Sequence, residues 1–136
     1  MSRITFSSPL THSDWMLHHD GPAWGAKGVR TMLTQCREFG FDKVFWRCYD
    51  CGRATYHGRL IEPLRWDDHE ETYQYSPGFI PPPDAQTLAK CARLDYYGFD
   101  SLAAAVEIGH QLGLEIHGWM TINEDDHGLG WPSRFS

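Results

Sequence analysis

Two short segments of this chain are near copies of each other: Glu38-Phe39-Gly40-Phe41-Asp42 and Gln111-Leu112-Gly113-Leu114-Glu115, 73 residues apart. Each follows apolar residues at helical spacing and precedes an extended, apolar run. In the first unit Val29, Met32, Leu33, Cys36 and Phe39 form the helical stripe, and Gly40 stops the helix. The run Lys43-Val44-Phe45-Trp46-Arg47-Cys48-Tyr49 is then the strand. In the second unit Asp100 or Ser101 caps, and Leu102, Ala105, Val106, Gly109 and Leu112 form the stripe. Gly113 ends that helix, and residues 114–120 are its strand. A repeated order of helix, glycine and strand is the pattern of βα units in a parallel sheet, so the expected class is α/β.

The same reading places a first strand at residues 4–6 and a polar, Trp-containing loop at 12–24. It also places a long loop after the second strand, at 50–99. Pro77 and Pro81-Pro82-Pro83 block regular structure there, and a short helix is expected at 84–94. Connections in α/β units usually take about 2–6 residues, and much longer ones tend to be functional or disordered. Tyr56, Trp66, Tyr73, Tyr75 and Phe79 favour an ordered one. Right-handed crossovers bring strand-to-helix loops to the C-terminal edge of a parallel sheet, where α/β proteins bind ligands. That edge receives His12, Asp14, Trp15, His18, His19 and Asp20 after strand one. Arg47, Asp50 and Arg53 follow strand two, and residues 123–127 follow strand three. None of these turns carries a glycine-rich phosphate fingerprint, so no dinucleotide site, and no cofactor, is expected.

Composition narrows the partners. A net charge of −6 without blocks of like charge lacks the basic surface that holds phosphates, so nucleic acid is not an expected partner. No apolar run approaches the ~20 residues of a membrane span, and the first residues lack the core of a secretory signal. The default compartment is therefore the cytoplasm. Cys48-Tyr49-Asp50-Cys51 has CxxC spacing but lacks a second pair, and the eight histidines show no fixed ligand spacing, so no metal is expected. With 14% aromatic residues, many beside Asp, Arg, Pro and Gly, the chain suits a surface that binds something flat.

Two motifs resemble a family. Val44-Phe45-Trp46-Arg47, Gly52-Arg53-Ala54-Thr55-Tyr56 and Leu60-Ile61-Glu62-Pro63-Leu64 resemble the second-strand motif of glycosyl-hydrolase-like 10 domains. Phe99-Asp100-Ser101-Leu102, His110 and Gly113-Leu114-Glu115-Ile116-His117-Gly118-Trp119 resemble a later signature of the same domains. Cys48, Cys51, Ser101 and Gly118 depart from that pattern. The resemblance implies a (β/α)8 barrel acting on glycosidic bonds of cell-wall glycans or related polysaccharides. It also makes the cell envelope an alternative location. Such barrels run to about 250 residues, so a chain of 136 is expected to be one incomplete domain holding the first three βα units. If the chain is whole, three strands leave open edges that a homo-oligomer could cover.

Glycoside hydrolysis generally uses two carboxyl groups flanking the bond. Asn123-Glu124 after the third strand is similar to the Asn-Glu pair of many glycosidase barrels, which nominates Glu124 as catalytic acid. Helix capping or hydrogen bonding to sugar hydroxyls is the other use open to Glu124, Asp125 and Asp126. Substrate contacts are expected from Arg47, Asp50, His117, Trp119, Asn123, Asp125 and His127. Arg47 could instead pair with Asp50 or Asp125, and Asp50 could serve the turn at Gly52. His117 and Trp119, two apart on a strand, share a face and would form a flat, hydrogen-bonding wall. The alternative function is a non-catalytic carbohydrate-binding module or pseudo-enzyme that keeps the mouth without the carboxylate pair.

Overall fold

The structure, a computed structural model, describes residues 5–13, 15, 24–50, 53–65 and 85–120. Among them the order is β1 (Ser7–Leu10), α1 (Ala26–Glu38), β2 (Lys43–Arg47), β3 (Tyr49–Asp50), β4 (Arg53–Ala54), α2 (Ala85–Cys91), α3 (Ser101–Gln111) and β5 (Glu115–Trp119). The class is α/β: β1, β2 and β5 form one parallel sheet in that spatial order.

The repeated junctions perform the same task. After α1, the Phe41 amide bonds the Cys36 carbonyl and the Gly40 amide bonds that of Arg37, both at 3.0 Å. After α3, Leu114 bonds Gly109 at 2.8 Å and Gly113 bonds His110 at 3.1 Å. Both are Schellman closures, and both need the left-handed backbone that glycine supplies, with φ of 86° at Gly40 and 71° at Gly113. Phe41 and Leu114, the residues just beyond, drop into the core. Asp100 caps α3, accepting from the Ala103 amide at 2.9 Å.

Alternation divides the sheet into two unlike faces. Leu10, Val44, Trp46 and Ile116 pack in one cluster with Val29, Met32, Leu33 and Cys36 of α1 and Ala105 and Ile108 of α3. Full burial of side chains such as Val44 and Leu33 stabilises by roughly 1.5–3 kcal/mol each. Both helices therefore cover the same face, and Arg30 Nη2 reaches across from α1 to Gln111 Oε1 of α3 at 2.5 Å. The opposite face carries Ser7 and Pro9, then Lys43, Phe45 and Arg47, then Glu115, His117 and Trp119.

Close helix-to-sheet approach depends on Gly109. A Cβ there would lie 2.4 Å from Ile116 Cγ1, so Gly109→Ala forces Ile116 from its place. Overpacking of this kind outweighs the gain in helix propensity, and we expect a net loss of about 1–2 kcal/mol in urea unfolding. A variant as stable as the parent would show that α3 slides freely on β5.

The third strand is one residue shorter at each end than expected, Glu115–Trp119, and three other boundaries shift further. The first strand lies at Ser7–Leu10 instead of 4–6, because it is Leu10, opposite Trp46, that reaches the core; Phe6 is 58% exposed. Its carbonyl instead receives the Asp42 and Lys43 amides, tying the junction to β1. The second strand stops at Arg47. The Cys48 amide makes a last bond to the Trp119 carbonyl at 2.8 Å, after which Tyr49 and Asp50 turn away to pair antiparallel with Ala54 and Arg53. The helix expected at 84–94 is shorter, Ala85–Cys91. Among the described residues no helix is long and apolar enough to cross a membrane.

Candidate functional site

The open face of the sheet is built in three rows set by strand register. At the N-terminal end stand Ser7, Lys43 and Glu115; in the middle, Pro9, Phe45 and His117; at the C-terminal end, Arg47 and Trp119. The lowest row is ion-paired, Lys43 Nζ lying 3.3 Å from Glu115 Oε1. In the middle row the Phe45 and His117 rings lie 5.5 Å apart. In the top row Arg47 is half-buried, while Trp119 is 36% exposed. His117 Nε2 lies 2.5 Å from Glu115 Oε1. This hydrogen bond, with Lys43 beside it, holds the Glu115 carboxyl below the usual carboxylate range.

Of the residues expected to contact substrate, the structure brings Arg47, His117 and Trp119 together on this face. Asp50 lies in β3, beyond the end of β2, where its register partner is Arg53 of β4. Asn123, Glu124, Asp125 and His127 lie outside the described residues. Phe45 and Glu115 are additions to the expected wall. Two-residue alternation from Arg47 and His117 was the signal that could have found them.

Described parts of the long loop form a second buried cluster. Ala54 accepts from the Leu64 amide at 2.8 Å, and Leu64 accepts from Tyr96 at 2.9 Å. Leu64, Leu94 and Tyr96 are buried there with Trp15 and Trp24 packed against them. The described parts of the loop are thus ordered, as Tyr56 suggested; Trp66, Tyr73, Tyr75 and Phe79 lie outside the described residues.

His12 corrects its expected place among the polar edge residues. It is buried to 1% exposure, ringed by Trp24, Trp46, Tyr96 and Phe99 at centroid distances of 5.4–5.9 Å. Its Nδ1 lies 2.8 Å from the Tyr96 hydroxyl. Loss of solvent pushes its pKa from 6.5 down to about 4. The histidine therefore fastens the loop to the end of β1.

Two departures from the family pattern have local reasons. Ser101 Oγ accepts from the Trp46 indole at 3.1 Å and donates to the Thr55 carbonyl at 2.6 Å. A proline there would lose both bonds, together with that of the Ser101 amide to Thr55. Ser101→Ala strands a buried indole N–H, and we expect a loss of about 1–2 kcal/mol in unfolding free energy; an unchanged denaturation midpoint would deny the Ser101 link its role. Gly118 and Cys48 are neighbours, a Cβ at 118 falling 3.2 Å from Cys48 Sγ. Burial pushes the Cys48 thiol pKa up, away from the thiolate that metal binding or redox chemistry uses. Among the described residues no three His, Cys, Asp or Glu side chains are grouped to hold a metal ion.

The face can accordingly stack a flat ring on Trp119 and hydrogen-bond it through His117 and Arg47. Compared with family models and with curated proteins, the chain matches none.

Proposed function

We propose that this chain is part of a (β/α)8 barrel of the glycosyl-hydrolase-like 10 type, its first three βα units, and that it acts on glycosidic bonds of a polysaccharide or cell-wall glycan. One observation carries the reading: successive parallel strands lie side by side with both major helices on one face, leaving the other to an aromatic and polar wall. Doubly wound sheets place helices on both faces, whereas a barrel places them all outside and fills its interior with rows of side chains. The three rows on the open face match that interior, and the row at the strand C-termini, Arg47 with Trp119, corresponds to a barrel mouth.

In this reading the Trp119 indole receives the apolar face of a sugar ring, and His117 and Arg47 bond its hydroxyls. Asp50, Asn123, Asp125 and His127 complete the contacts. Glu124 protonates the departing glycosidic oxygen. A second carboxyl group must act with it as nucleophile or base.

Hydrolysis of a panel of denuded cell-wall glycans and plant polysaccharides tests this. Glu124→Gln should lower kcat roughly a hundredfold or more, within the usual range for general acid catalysis, with little change in KM. Full activity in the variant would remove Glu124 from the acid role. Binding without hydrolysis in the parent chain would favour the non-catalytic carbohydrate-binding module.

A further inference from the structure

One charged chain of contacts runs along the open face beneath the proposed sugar contacts. Glu115 Oε1 stands between Lys43 Nζ at 3.3 Å and His117 Nε2 at 2.5 Å. Lys43 is the register partner of Glu115 on β2, and His117 lies two residues further along β5, so all three side chains project from one face. The Phe45 ring flanks the imidazole. An ionised carboxylate can only accept, so in a neutral imidazole the hydrogen bond places the single ring proton on Nε2.

We propose that Glu115 is a positioning residue for His117, holding its Nε2–H so that Nδ1 remains as a bare acceptor for a hydroxyl group of the ligand. The ligand half of this inference rests on the glycan reading of the face. A neutral imidazole with Nε2–H engaged can accept at Nδ1 and has no donor left to offer. The His117 ring therefore favours neutral sugar hydroxyls and offers no donor to a carboxylate or sulfate oxygen.

The test is a long-range proton–nitrogen NMR spectrum of the histidine rings at pH 8, with His117 assigned through His117→Gln. The parent chain should show a protonated Nε2 and an unprotonated Nδ1. In Glu115→Ala the two nitrogen signals should move toward each other as the tautomers mix, whereas Glu115→Gln, whose amide oxygen still accepts, should keep them apart. Cellohexaose and chitohexaose, both uncharged chains, should bind Glu115→Ala about tenfold more weakly than the parent and Glu115→Gln within about threefold. Oligogalacturonate should bind the parent more weakly than either. A proton on Nδ1 in the parent, or ring signals indifferent to Glu115→Ala, would overturn the positioning role. If no oligosaccharide binds, the glycan reading and the hydroxyl ligand fall together, while the ring signals still decide whether Glu115 positions His117.

Discussion

Acidifying this protein from pH 6.5 to about 4 should lower its unfolding free energy by about 3 kcal/mol through His12 alone, at about 1.4 kcal/mol per pKa unit. Above pH 6.5 the imidazole is neutral in both states, and the stability is fully present. Below it the unfolded chain takes up a proton that the folded chain refuses, because His12 is enclosed by four aromatic rings. The unfolded state then holds more protons, so stability falls with pH until the folded pKa of about 4 is reached. Urea unfolding at half-unit steps across that window, in the parent and in His12→Gln, isolates the contribution. The parent should be steeper than the variant by about 1 kcal/mol per pH unit in the middle of the window. Equal slopes would mean that His12 titrates as freely in the folded state as in the unfolded one.

The Trp119 indole is expected to dominate glycan affinity. It stands at the C-terminal end of β5, partly exposed, on the same face as His117 and opposite Arg47 in register. Exposed tryptophans that become covered by a ligand are frequent centres of binding energy, and truncation typically costs about 2 kcal/mol, or about thirtyfold in Kd. Calorimetric titration of Trp119→Ala with the best-bound oligosaccharide should show that loss, and Trp119→Phe should recover most of it. Met120, the next residue along and also exposed, is the control. Loss of affinity in Met120→Ala and none in Trp119→Ala would move the binding surface elsewhere.

Much of the architecture was legible because local chemistry and tertiary demand agree. Gly40 and Gly113 stop their helices in the same backbone conformation, and the strands that follow them pair with each other in the parallel sheet. His117 and Trp119 could be assigned a common face from alternation alone. Which face stays open was not legible, since it depends on α1 and α3 packing side by side over Val44 and Trp46. The break at Cys48 was hidden too, because aromatic and apolar residues continue through Tyr49 while the backbone changes partner from β5 to β4. His12 was misplaced for a related reason. A histidine in a polar loop reads as exposed until Tyr96, 84 residues later, is seen to close over it. Ser101 offered one faint signal, that a buried Trp46 must find an acceptor for its indole N–H.

The central claim is that the face of the sheet away from the helices receives a glycan. An NMR titration of the labelled chain with chitohexaose and cellohexaose tests it residue by residue. The account predicts saturable shifts at Phe45, Arg47, His117 and Trp119, with Val29, Met32 and Ala105 on the helix-covered side unmoved. Shifts confined to the helices, or none on the open face at saturating oligosaccharide, would contradict it.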